Sequence, residues 1–224
     1  MLEVLLIGVE GCSIVVLFGN LGGWMRYVSL VLLSTLLAFG LASHVQAQAE
    51  TVERAAMRDP GEILGGARHS KAKVERYARP KSTKYIMRTI PIYYKMAPRR
   101  NIAPDVLIAQ AMVETGYGHY GGDSKPWNMA GIKKGGIVGD EPRDFEKPAT
   151  ARAGVRMHIN HMAAYTGKKP IGTPHDRFYD AREAQERRGY WVRNIGQLGS
   201  GVWATDTSYD DKIRNVLYGM KNTR

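Results

Sequence analysis

The sequence predicts a mainly α domain with long loops, and three observations predict it. Between Thr83 and Lys221, apolar residues recur at helical spacing in four stretches. Residues 116–148 and 166–207 separate those stretches and are rich in Gly, Pro, Trp and Tyr, which reads as loop. Strand signals amount to one small hairpin around Ile132–Phe145 at most.

The first stretch places Tyr85, Ile86, Thr89, Ile90, Tyr93, Tyr94 and Met96 at roughly helical intervals, with Pro91 expected to kink or restart the helix. The second starts with Pro104 at an N1-like position and Asp105 in the first turn, where an acid suits the helix dipole. It runs apolar nearly all round to Glu114 and stops at Gly116, so it should be the central buried helix. The third, about Thr150–Tyr165, puts Ala151, Val155, Ile159 and Met162 on one face. The last, about Ser208–Lys221, turns Tyr209, Ile213, Val216, Leu217 and Met220 inward; Ser208 with Asp211 resembles a capping box.

Upstream of this domain the chain changes character. From Met25 it reads Met-Arg, an apolar run from Tyr27 to Ala42, then small residues around Ala47 and Ala49, which is the layout of an export signal. The run is shorter than the roughly 20 apolar residues of a membrane span; an uncleaved N-terminal anchor is the alternative. Residues 1–24 hold a further apolar stretch, Val4–Phe18, read either as an extension upstream of a true start at Met25 or as the first of two membrane segments. The expected organisation is therefore an extension and signal over 1–49, a flexible basic linker over 50–82, and a catalytic domain over 83–221.

Charge sharpens this division. The 224 residues carry 32 Lys plus Arg against 21 Asp plus Glu, a formal charge of +11. Residues 1–47 contribute only Arg26, Glu3 and Glu10, so the remainder carries +12. An excess of that size favours anionic partners such as an acidic cell-wall polymer, acidic lipid or nucleic acid. No nucleic-acid or nucleotide motif accompanies it, so no specific nucleic-acid partner is expected, and membrane contact only through the signal or anchor. Cys12 is the sole cysteine, which excludes an intrachain disulfide and a cysteine zinc site.

The chemistry centres on Glu114. It ends the run Val106–Val113, in which Gln110, four residues earlier on the same face, is the only polar member. Burial and the negative end of the helix dipole both raise a carboxyl pKa, as a general acid working near neutral pH requires. On position alone a second reading stays open: a glutamate that caps the helix or pairs with one of the many Lys and Arg residues.

Three motifs in order add to that reading. They are Ile102–Gly118, containing Ala109-Gln110 and Glu114-Thr115-Gly116-Tyr117-Gly118; Asn128-Met129-Ala130-Gly131-Ile132-Lys133; and Trp203-Ala204-Thr205-Asp206-Thr207-Ser208-Tyr209-Asp210-Asp211-Lys212. With the Phe145–Tyr165 segment, they resemble the glucosaminidase domain of bacterial cell-wall hydrolases, glycoside hydrolase family 73, over about 83–221. The resemblance implies a lysozyme-like helical fold and cleavage of the β-1,4 bond after N-acetylglucosamine in peptidoglycan. It implies Glu114 as general acid, with Asn128 and Lys133 on the loop that shapes the cleft floor. Tyr209 matches the second tyrosine of the C-terminal motif; Trp203 stands where many members have the first, and an indole lacks its hydroxyl.

A second carboxylate is usual in glycosidases, and the family often carries it on the hairpin after Gly-Ile-Lys. Asp140, Glu141 and Asp144 are candidates, Glu141 first; equally, all three are exposed turn acids, and the substrate's N-acetyl group is then the nucleophile. The expected substrate contacts are Gln110, Tyr117, Trp127, Asn128, Lys133 and Trp203, although loop aromatics such as Tyr117 and Trp127 also suit plain packing. His158 and His161 have metal spacing on one helix but no third ligand, so no metal and no cofactor are expected. The rival readings are a muramidase or lytic transglycosylase of similar fold, and a non-catalytic cell-wall-binding protein.

Overall fold

The structure is a computed structural model. It describes the backbone of residues 3–9 and 12–18, the single positions Gly40 and Gln46, and residues 61–121 and 126–224. The export signal and the first part of the expected linker lie outside the described residues. The chain divides into two units, Met1–Met57 and Arg58–Arg224. In the first, β1 (Glu3–Val9) and β2 (Cys12–Phe18) pair antiparallel, from Glu3 opposite Phe18 to Val9 opposite Cys12. The described parts of the apolar Val4–Phe18 stretch are thus paired strands, and among the described residues no helix is long and apolar enough to cross a membrane.

The second unit is mainly helical. Its helices are α1 (Lys71–Ala78), α2 (Lys84–Met96), α3 (Pro104–Glu114), α4 (Ala151–Tyr165), α5 (Arg177–Arg188) and α6 (Tyr209–Asn222). Every residue of α3 from Pro104 to Met112 is buried, as its uniform apolarity demands. Around it α2 and α6 pack directly, α4 packs on α2 and α5, and α1 closes against α2 and α6. Pro91 does not divide α2. It lies on the exposed side, while Ile86, Thr89, Ile90, Tyr93 and Met96 face inward.

Three expectations need correction. Residues 61–82 are not a flexible linker: α1 lies within them, and Ile63, Val74 and Ala78 are fully buried. Part of the anchoring comes from Asp105, completely buried in the first turn of α3. It accepts the backbone N–H groups of Arg68 (2.8 Å) and His69 (3.0 Å) and sits 2.9 Å from the His69 ring Nδ1. The basic composition of this segment hid how few of its residues need to be apolar to dock it. Second, α5 occupies a stretch expected to be loop. It buries only Phe178, Ala181 and Gln185, too sparse a stripe to stand out. Third, Ser208 makes no capping bond to α6. Instead its N–H and hydroxyl both donate to Asp206 (2.8 Å each).

The hairpin at Ile132–Phe145 reduces to one bridge, Lys133 opposite Phe145, with backbone bonds from Lys134 to Asp144 and from Glu146 to Ile132. Two glycines lock the loops to the helices. A β-carbon at Gly154 would lie 1.8 Å from the Trp127 carbonyl oxygen. At Gly118, where φ is +86°, it would meet the Thr83 hydroxyl at 2.4 Å.

Candidate active site

Glu114 stands at the last residue of α3, where the helix meets a cavity of about 240 Å³. The chain then leaves sharply. Tyr117 takes a left-handed backbone (φ 57°) and its N–H returns 2.7 Å to the carbonyl of Met112. Glu114 therefore has a buried stem and a carboxyl at the rim. Burial pushes its pKa up, and hydrogen bonds from Tyr209 and Trp203 pull part of the way back.

Those two donors converge on one oxygen. The indole Nε1–H of Trp203 donates to Glu114 Oε1 at 2.9 Å, and the Tyr209 hydroxyl donates to the same Oε1 in a short bond. Oε2 lies toward Gly131, whose β-carbon, were there one, would sit 3.8 Å away. Gly131 lines the cavity. The carboxyl proton thus belongs on Oε2, because Oε1 is already committed as a double acceptor.

Trp203 is held edge-on and tilted by three rings, His161 at 4.9 Å, Tyr165 at 5.0 Å and His158 at 5.9 Å between centroids. Its place at the rim is therefore fixed. The hydroxyl that a tyrosine would offer here is replaced by an indole N–H aimed at the carboxyl.

The cavity lining also carries Lys133, His161 and Arg177. Lys133 Nζ bonds the Val138 carbonyl (3.2 Å) and Asp140 (2.7 Å). Arg177 bonds the Ile137 carbonyl (3.2 Å) and approaches Asp180 (3.5 Å). Lys133 thus braces the 134–144 loop from within, and Arg177 ties it to α5. His161 Nδ1 and His175 Nε2 share a 3.2 Å contact. Burial lowers the pKa of both, His175 to about 4, so this pair stays neutral at pH 7.

Of the expected substrate contacts, Lys133 and Trp203 line the cavity. Gln110 and Asn128 are completely buried and act from behind. Gln110 Nε2 donates to the Tyr209 oxygen at 2.8 Å. Asn128 folds its loop, accepting from Ile132 N–H (2.9 Å) and donating to the carbonyls of Ile132 (2.9 Å) and Glu146 (3.1 Å). Tyr117 and Trp127 are outside the cavity lining. The Tyr117 hydroxyl meets that of Tyr77 at 3.1 Å, and Trp127 stands edge-on to Tyr85 at 5.0 Å. Glu141 is exposed and also outside the lining; its backbone N–H donates to Asp144.

Tyr165 and Arg177 also line the cavity, as does His161, which the sequence offers only as a metal or packing residue. The signals for His161 and Tyr165 are their i, i+4 spacing and their place in the Phe145–Tyr165 segment. No group of three or more His, Cys, Asp or Glu residues able to hold a metal occurs among the described residues.

A mainly helical domain with a half-buried carboxyl, one oxygen held by two donors and the other facing a polar cavity, has the layout of an enzyme site suited to acid–base chemistry on a bound substrate. Residues 90–222 match the Glucosaminidase family model, described as mannosyl-glycoprotein endo-beta-N-acetylglucosaminidase, and the chain belongs to that family. No curated protein and no solved structure matches the chain.

Proposed function

We propose that the protein is an exported peptidoglycan hydrolase that cleaves the β-1,4 bond after N-acetylglucosamine, with Glu114 as general acid. The observation that carries this reading is the asymmetry of the carboxyl: two donors on Oε1, and Oε2 open toward the cavity. Oε2–H protonates the glycosidic oxygen as the bond to C1 breaks. The carboxylate left behind keeps both hydrogen bonds, which strengthen as its charge develops.

Glu114 is the only carboxylate among the described residues that line the cavity. That favours the substrate's own 2-acetamido oxygen, rather than Glu141, as the group that attacks C1. The resulting oxazolinium is opened by water, whose proton returns to Glu114 Oε2. Trp203 and Tyr209 hold the acid, and Lys133 with Asn128 shapes the cavity floor. Export through the signal at residues 25–49 brings a domain with an excess of basic residues to an anionic wall, which raises its local concentration there.

Mass spectrometry of reduced muropeptides tests the bond cut. Reduced glucosamine ends are expected; reduced muramic acid or anhydro ends overturn it. Glu114→Gln is expected to abolish lysis in a zymogram, and undiminished lysis refutes the acid assignment.

A further inference from the structure

Behind Glu114 the hydrogen bonds continue into the core as a single line. Tyr93 on α2, His158 on α4 and Gln110 on α3 are all completely buried. The Tyr93 hydroxyl lies 2.7 Å from His158 Nδ1, and His158 Nε2 lies 3.0 Å from Gln110 Oε1. Gln110 Nε2 lies 2.8 Å from the Tyr209 oxygen, and Tyr209 donates to Glu114. Four helices therefore each contribute a link, and Glu114 ends the line.

We propose that Tyr93 and His158 are positioning residues that set the direction of this chain, so that Tyr209 can only donate to the Glu114 carboxyl. The inference rests on Glu114 being the acid, but the direction itself follows from local bonding. The Tyr93 hydroxyl has His158 Nδ1 as its one hydrogen-bond partner among the described residues. It must therefore donate, since a buried O–H without an acceptor is costly. Nδ1 then accepts, which puts the imidazole proton on Nε2. Nε2–H can only meet the oxygen end of the Gln110 amide, which turns the NH₂ end to Tyr209. With its oxygen receiving that N–H, Tyr209 points its own proton at Glu114 Oε1.

The reverse direction would have Glu114 donating to Tyr209, and it would end with the Tyr93 proton facing apolar core. Burial lowers the His158 pKa to about 3, which keeps the ring neutral and the line one-way throughout the range in which an enzyme of this kind works. The consequence for Glu114 is twofold. Its proton is confined to Oε2, and the carboxylate formed on proton transfer always finds Tyr209 as a donor. The other groups facing this carboxyl are His161 and Tyr165 from α4, Arg177 from α5, Lys133 from the loop, and Trp203. None of them bonds Tyr93, so a change at Tyr93 leaves them in place.

The test removes one hydroxyl. Tyr93→Phe leaves Nδ1 without its donor, so the ring can take either tautomer and the line either direction. In the kcat/KM profile against pH on purified peptidoglycan, the alkaline limb should move to higher pH. The plateau kcat should fall three- to tenfold, with KM unchanged. Tyr94→Phe is the matched control: its hydroxyl bonds the His69 carbonyl, away from this line. It should keep the wild-type profile whatever it costs in melting temperature. Nitrogen-15 NMR of the wild type reads the direction without activity, and should show neutral His158 protonated at Nε2. A wild-type Nδ1–H tautomer overturns the proposal, as does a folded Tyr93→Phe variant with the wild-type pH profile. If Glu114→Gln retains activity, the acid assignment fails, while the NMR result still decides the direction of the chain.

Discussion

Replacing Trp203 by Phe isolates one hydrogen bond. Phenylalanine preserves an aromatic ring between His161, Tyr165 and His158 while deleting the N–H that lies 2.9 Å from Glu114 Oε1. The bond matters more to the carboxylate than to the carboxylic acid. Hydrogen bonds to charged groups contribute about 1.5–3 kcal/mol against about 0.5–1.5 kcal/mol for neutral pairs. The difference of about 1 kcal/mol corresponds to about fivefold in an equilibrium or a rate. Because the Trp203 bond lowers the Glu114 pKa, its loss raises that pKa further. Two effects follow together: the alkaline limb of kcat/KM moves to higher pH, and the plateau falls about fivefold because the departing proton leaves a less stabilised carboxylate. The assay is the initial rate of peptidoglycan solubilisation from pH 4 to 9. A Trp203→Phe enzyme whose profile superimposes on the wild type would refute the reasoning. A drop confined to KM would show that the indole serves substrate binding and not the acid.

Two further predictions test the scaffold around the site. Asn128→Ala removes one acceptor and two donated bonds from a completely buried position. At about 1–3 kcal/mol for each of these three bonds, and about 2–4 °C per kcal/mol for a domain of this size, calorimetry should show the melting temperature falling by at least about 6 °C. Asp105→Ala deprives the Arg68 and His69 N–H groups of their acceptor and removes the partner of the His69 ring. Loss of about 3–5 kcal/mol is expected, as for other broken buried polar pairs. Limited proteolysis should then cut within residues 61–70 faster in the variant than in the wild type.

Much of this arrangement is legible in the sequence. The apolar run ending in Glu114 announced a carboxyl at the end of a buried helix, and the i, i+4 relation to Gln110 placed an amide behind it. What spacing cannot express is which long-range partners meet. Tyr209 and Trp203 lie 95 and 89 residues beyond Glu114, yet both reach a single oxygen. Their convergence depends on how α6 and the loop before it cross α3. For the same reason Tyr93 and His158 resemble ordinary core residues in the sequence, since an apolar stripe on α2 and a packed face on α4 account for them fully. Residues 61–82 mislead in the opposite sense. Their basic composition suggests a solvated stalk, but a few buried apolar side chains and one buried aspartate on α3 hold them in place, and an acceptor for backbone N–H groups leaves no periodic signal. Composition likewise gave no warning that Asn128 would spend its polar atoms on its own loop and not on the cavity.

The buried histidines also make the fold sensitive to acid, in a direction that can be worked out. His158 has a pKa of about 3 in the folded chain against an ordinary value of 6.5. Between those values the unfolded chain binds a proton that the folded chain refuses. His158 therefore contributes stability that is fully present above pH 6.5 and is lost as pH falls toward 3. By pH 4 the loss from this one residue is on the order of 3 kcal/mol. His161 and His175, both lowered by burial, act in the same direction. Asp206, held at about 2 by Lys212 and Ser208, adds its own loss only once pH drops below its ordinary 3.8. Glu114 opposes them: with its pKa raised, the folded chain keeps a proton that the unfolded chain releases, so Glu114 costs stability as pH climbs past 4.5. The histidines outnumber it, and the urea midpoint should fall steeply from pH 7 to pH 4. A His158→Gln variant, which can still offer an amide N–H toward Gln110 but cannot charge, should show a flatter slope over that interval whatever its stability at pH 7. A His158→Gln slope equal to that of the wild type would mean that His158 accepts a proton within the fold. Its ring could not then hold the fixed Nε2–H form on which the chain to Glu114 depends.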